Sequence, residues 1–142
     1  MQRKKLQGAP LRIDPVKLAG GDLVEVPFAV ANATGNPRRI VVPAERKPRV
    51  SLVFQGDIVM IVYESSPAKF ELEDYGYDEY IHVLEGKLIL TPAGGTSMET
   101  EAGGHVVLPK GFSGTWEMAG DPYRELVAME YETWRAAELA DS

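Results

Sequence analysis

One stretch constrains the fold of this chain more than any other: the run from Gly76 to Trp116, GYDEYIHVLEGKLILTPAGGTSMETEAGGHVVLPKGFSGTW. Its turn residues recur too often for a helix to form between them. Gly86 follows Glu79 after six intervening residues, Gly94-Gly95 and Gly103-Gly104 come as pairs, and Gly103 opens a G-x5-P-x-G unit that runs through Pro109 to Gly111. Glycine supplies the positive φ of tight turns, and proline removes a backbone donor from any ladder. Between the breaks lie short segments rich in β-branched and aromatic residues: 80–84, 88–91, 96–101, 105–108 and 114–118. Short strands with turns about every 8–12 residues predict an all-β sandwich or barrel.

The rest of the chain extends that pattern. Residues 1 to about 22 mix Gly, Pro and charge without periodicity and predict a loose arm. Segment 23–30, LVEVPFAV, predicts a strand that Pro27 confines to an edge. NATGNPRR is turn chemistry, and Arg39–Val42 a short strand before Pro43. Arg46, Lys47 and Arg49 form a basic cluster, read as a solvated loop or as an anion contact at a pocket rim. Strands are then predicted over 50–54 and 58–64, and over 69–75, where Phe70 and Leu72 alternate with Glu71 and Glu73. Gly120-Asp121-Pro122 predicts a turn before a last long strand, 123–131. Thr133 is read as the N-cap of a short C-terminal helix through Trp134, Ala137 and Leu139. The expected organisation is an N-terminal arm with an edge strand over 1–39, a β-barrel over 40–132 and a helix over 133–142.

At 142 residues the chain is long enough for one hydrophobic core, and a 44% hydrophobic, 25% charged composition is that of a globular domain. The net charge of −6 argues against nucleic acid and anionic membrane as partners. The absence of cysteine excludes disulfides, thiolate metal sites and a cysteine nucleophile. Apolar runs such as Ile58–Tyr63 are too short to span a bilayer. Arg3, Lys4 and Lys5 are followed by no apolar segment, so the expected location is the cytoplasm.

The two glycine-bounded units resemble the two sequence motifs of the cupin superfamily, G-x5-H-x-H-x(3,4)-E-x6-G and G-x5-P-x-G-x2-H-x3-N. The likeness covers roughly residues 60–130. The segment V-V-L-P-K-G-F-S-G-T-W-E-M is similar to single-domain cupins related to the ureidoglycine aminohydrolase cupin domain. This resemblance implies a double-stranded β-helix, a jelly roll of the RmlC-like cupin type, whose inward side chains line a cup. It also implies a metal held by three histidines and one glutamate. The glutamate falls on Glu79. The two motif 1 histidines fall on Glu73 and Tyr75, or on Leu72 and Asp74 in the other register, and the motif 2 histidine falls on Gly114. None of these is histidine. His82 stands three residues beyond Glu79 and should face the opposite side of its strand, while His105 opens a strand beside a Gly-Gly turn. No histidine-held metal is therefore expected; a weakly bound hard cation on carboxylates is the most the cup allows.

Glu79 shares strand parity with Ile81 and Val83, so its carboxyl should face the core. There it needs a raised pKa or a cation, with Lys69 and Lys110 as candidate partners. Glu79, Asp74 and Tyr75 are the candidate acid–base groups. Trp116, Phe70, Met118 and Lys110 are the candidate ligand-binding residues, with Trp116 forming an aromatic wall beside the space left by Gly114. Three functions remain open: a small-molecule-binding cupin without an assigned reaction; an enzyme on a ureido compound, or an isomerase or epimerase on a sugar; or an accessory protein with a vestigial pocket. Apolar segments beyond the needs of one barrel, at 23–30 and 40–42, lead us to expect a homodimer that covers its sheet edges.

Overall fold

The computed structural model describes residues 8–26 and 37–140. Among them, nine strands and two helices run in the order α1 (Pro15–Leu18), β1 (Val24–Glu25), β2 (Pro37–Val42), β3 (Arg49–Gln55), β4 (Ile58–Ser65), β5 (Ala68–Leu72), β6 (Glu79–Pro92), β7 (Met98–Glu101), β8 (His105–Leu108), β9 (Gly114–Glu130) and α2 (Tyr131–Ala140). All strand pairs are antiparallel.

Two strands are much longer than their neighbours, and the fold turns on them. The first half of β9 pairs with β5 and with the second half of β6, Phe70 and Leu90 both facing Trp116 in register. The second half of β9 pairs with β4 and with the first half of β6, where Glu125 is opposite both Tyr63 and Val83. One sheet is therefore β1-β3-β4-β9-β6-β8 and the other β2-β5-β9-β6-β7, with β6 and β9 bending together from one into the other. This is a jelly roll, as the sequence predicts. Two expected turns prove to be sheet corners. At Glu85–Lys87 and at Gly120–Pro122 each strand bends but continues in the same direction, with register shifts in β6 at Val83/Glu85 and Glu85/Lys87. The corner demands glycine because the backbones touch. A Cβ on Gly86 (φ 83°) would lie 2.4 Å from the Ala119 carbonyl oxygen, and one on Gly120 (φ 107°) would lie 2.9 Å from the Gly86 Cα.

The core lies between the sheets. Val59, Ile81, Val83, Val127 and Met129 face inward from one, and Phe70, Leu72, Leu88, Leu90, Trp116 and Met118 from the other. Alternation along β4, β5, β6 and β9 places these side chains on one face each.

Other expectations change in detail. The arm is not loose throughout: Asp14 caps α1 by accepting from the Val16 N–H at 2.9 Å, with Pro15 preset for the first turn. The Lys17 Nζ then donates to Ser51 Oγ at 2.9 Å and to the Leu52 carbonyl at 3.3 Å, anchoring the segment on β3. Of the strand expected at 23–30, Val24–Glu25 pairs with β3, and the portion from residue 27 lies outside the described residues, as does most of the turn that follows. β5 stops at Leu72 rather than Tyr75. The C-terminal helix starts at Tyr131, so Thr133 lies inside it and gives its hydroxyl to Glu130 instead of capping.

Candidate functional site

The site is built where β5 leaves the barrel. Asp74 adopts a left-handed conformation (φ 51°), which turns the chain sharply after β5. The segment that follows is laced to the loop before β9: the Tyr75 N–H donates to the Phe112 carbonyl at 2.9 Å, and the Gly111 N–H to the Tyr75 carbonyl at 2.7 Å. The Ser113 hydroxyl accepts from the Asp74 N–H at 2.9 Å, and an Asp78 carboxyl oxygen accepts from the Lys110 N–H at 2.8 Å. These bonds hold Tyr75 and Tyr77 inward, rings 4.9 Å apart and tilted by 52°.

Glu79, the first residue of β6, is 4% exposed and accepts a hydrogen bond from the Tyr75 hydroxyl. Burial pushes its carboxyl from the ordinary 4.5 up to about 7, against the opposing pull of that hydrogen bond. A second carboxyl shares the interior. Glu125 on β9 is 3% exposed, and its Oε1 accepts from the Tyr123 hydroxyl at 2.5 Å. Burial raises its pKa well above the usual value, and the Glu79 charge raises it further. The Tyr63, Tyr75 and Tyr123 hydroxyls are all harder to ionise than in water, first through burial and then through the two acids. Among the described residues, neither carboxyl has an ion-pair partner.

The expected residues separate into two groups. Glu79, Tyr75, Trp116, Phe70 and Met118 meet in the buried interior. Asp74 is on the exposed turn, where its geometry bends the chain and does not bring its carboxyl to Glu79. Lys110 is exposed as well, and Lys69 lies 4.0 Å from Glu117 on the outer side, so Glu79 is matched by a phenol rather than by either lysine. The acid electrostatically linked to Glu79 is Glu125, which the sequence reading passed over. A signal was present: Tyr123, Glu125, Val127 and Met129 alternate on the last strand as Glu79, Ile81 and Val83 do on β6. His82 faces away from the cup and stacks on His105 across the strand pair, ring centroids 4.3 Å apart. His105 Nδ1 is 2.5 Å from the Tyr80 hydroxyl.

The metal implied by the cupin motifs does not fit these residues. Among the described residues no three His, Cys, Asp or Glu side chains are placed to hold an ion. The motif 2 histidine position is closed to any side chain, because a Cβ on Gly114 would lie 2.1 Å from the Thr91 carbonyl oxygen.

The basic cluster is largely satisfied by acids. Arg46 pairs with Asp121, and Glu64 lies between Arg49 and Arg124, which also reaches Glu85 at 3.0 Å. Arg46, Lys47 and Arg49 line an outer cavity of about 270 Å3 together with Glu25, Glu64 and Ser66. A second, more open cavity of about 250 Å3 is lined by Glu79 and Met129 together with Ile58, Tyr80, Val107 and Ala128 and the acids Asp78 and Glu130. No helix is long and apolar enough to cross a membrane.

Comparison with solved structures gives the same architecture. The chain is similar to a protein of unknown function from Pseudomonas syringae (18% identity, TM-score 0.56, covering 76% of this chain and 44% of that one). It is also similar to the EutQ protein of Clostridium difficile (18%, 0.52, 84% and 91%). A putative ethanolamine utilization protein Q from Salmonella typhimurium aligns at 25% identity over 61% of this chain and 72% of that one, with a TM-score of 0.49. No curated protein sequence matches significantly. The first two likenesses are of fold alone. Residues 52–124, about half of the sequence, match the family model of the EutQ-like cupin domain, and the chain belongs to that family.

Proposed function

We propose that this cupin binds a small molecule in the interior between its sheets, through Glu79, Glu125 and the tyrosines around them, without a histidine-held metal. The observation that carries the reading is the pair of enclosed carboxyls, each bonded to one tyrosine and neither matched by a lysine or arginine among the described residues. Apolar side chains of the same volume are often no less stable than buried ionisable groups, so two such acids ask for a role beyond packing. Buried groups with strongly shifted pKa values gather at functional sites. The test is a thermal-shift screen of small polar compounds against the intact chain and against Glu125→Gln. A compound that raises the melting temperature of the first and not of the second supports the reading. Failure of every compound to discriminate between them assigns the pair to structure.

A second reading is acid–base catalysis on a ureido compound, the chemistry suggested by the likeness to ureidoglycine-aminohydrolase-like cupins. It is favoured by a Glu79 carboxyl brought to about 7, where a proton is gained or lost easily at neutral pH. Release of ammonia from ureido substrates, abolished in Glu79→Gln, is the outcome that would separate catalysis from binding. We retain the cytoplasm as the expected location.

A further inference from the structure

We propose that His82 and His105 form a two-histidine chelate for a divalent transition-metal ion of the copper, nickel and zinc class. The site is on the outer face of the barrel and is independent of the interior acids.

Backbone pairing places the two imidazoles. His82 on β6 and His105 on β8 are directly opposite in register. One residue further on, the Val83 N–H donates to the Gly104 carbonyl at 3.0 Å. Bonded and non-bonded pairs alternate along an antiparallel ladder. His82 and His105 therefore occupy a non-bonded pair, the kind whose Cα atoms come closest, at about 4.5 Å. Their ring centroids are 4.3 Å apart, with the planes 15° from parallel. The pair ends a row that crosses the outer face through Ser51, Val62 and Leu126, all three buried. Both histidines thus stand on paired strands rather than on loops, which suits a chelate. His105 is exposed and His82 half-buried, so the rings have room to turn and water can reach an ion. Two nitrogens each about 2.0–2.1 Å from one metal are about 3–4 Å apart, within a small rotation of the observed stack.

Tyr80 supports one of the ligands. His105 Nδ1 is 2.5 Å from the Tyr80 hydroxyl. With Nδ1–H donating to that oxygen, Nε2 keeps its lone pair for a metal. Ligating histidines are commonly oriented by such a bond, which also fixes the tautomer.

The donor set selects the ion. Neutral imidazoles suit copper, nickel and zinc, whereas calcium, magnesium and manganese favour oxygen. Among the described residues no third His, Asp or Glu joins the pair, so water fills the remaining positions. Two nitrogens hold an ion loosely, and dialysis removes it.

The test is titration of the full, untagged chain with copper(II) in a non-coordinating buffer, near pH 7.5, where free histidine is mostly neutral. We expect one equivalent to bind with a dissociation constant on the order of 10 μM. Nickel and zinc should bind more weakly, and calcium not at all at the same concentrations. Electron paramagnetic resonance should show the copper coupled to two imidazole nitrogens. His82→Asn and His105→Asn should each weaken copper by roughly tenfold or more, and Tyr80→Phe by about tenfold, with circular dichroism reporting that the fold is kept. The chain has only these two histidines, so coupling to two imidazoles in the unaltered protein identifies the pair even if a variant does not fold. Copper bound without imidazole coupling, or with the same affinity in both histidine variants, places the ion elsewhere and overturns the proposal. So does calcium binding as tightly as copper, or no copper binding at about 1 mM.

Discussion

A carboxyl enclosed by apolar groups and phenols is harder to ionise than one in water, and for Glu79 this makes stability depend on pH. Its pKa is raised in the folded chain to about 7 from the ordinary 4.5. Between those values the folded state binds more protons than the unfolded state, so stability is highest at the acid end of the window and falls as pH rises through it. The shift corresponds to a loss on the order of 3 kcal/mol at pH 8. Glutamine keeps the acceptor for the Tyr75 hydroxyl and removes the charge, at about 1–3 kcal/mol for burying an amide. We expect Glu79→Gln to melt roughly 3–6 °C above the unaltered chain at pH 8, and at or below it near pH 5, where the lost charge no longer offsets the cost of the amide. Thermal melts at both values check this, and a variant that melts lower at pH 8 would mean that Glu79 has a compensating cation.

At the level of elements, everything depends on β6 and β9 bending at the same place. Gly86 meets the Ala119 carbonyl, and Gly120 meets Gly86, so a methyl group at either position presses on backbone that has no freedom to move. Gly86→Ala should cost about 3 kcal/mol or more, combining that clash with a left-handed φ. Gly94 has a positive φ of 71° but nothing within 4 Å of an added Cβ. Gly94→Ala should therefore cost only about 1–2 kcal/mol, the price of the backbone conformation. Urea denaturation of the two variants measures the difference, and equal losses would show that the corner contact is not what holds the sheets together.

The whole molecule presents a sheet face and several strand edges to its surroundings. Phe54, Met60, Ala128, Tyr80 and Val107 form one row in register across five strands on the outer face. Phe54, Tyr80 and Val107 are exposed there. Apolar rows of this kind are commonly covered by a second copy in a two-fold dimer. Light scattering at micromolar concentration should return twice the 15.6 kDa chain mass, and Val107→Lys should lower it. A single-chain mass for the unaltered protein would reject the dimer. Elemental analysis after dialysis without chelator should find no equivalent of manganese, iron or zinc per chain, because no histidine stands at the motif positions, Gly114 has no room for one, and among the described residues no three His, Asp or Glu side chains converge on one point.

Amino-acid order alone determined the class of fold, because turn residues and two-residue alternation are local properties of the chain. The parity of Glu79 with Ile81 and Val83 correctly predicted a buried carboxyl, and its phase relative to His82 correctly placed the imidazole outside. Which groups would meet Glu79 depended on contacts between segments far apart in the chain. Asp74 is near in sequence, but its left-handed backbone turns at the exposed end of the barrel. Glu125 lies 46 residues beyond Glu79 and comes beside it because β9 returns antiparallel along β6, with Val83 opposite Glu125. The corners were hidden for a similar reason. Gly86 and Gly120 each have the local chemistry of a turn, and only the close crossing of two backbones makes them bends within continuous strands. Local pattern sets which face a side chain takes; the pairing of distant strands decides what that face meets.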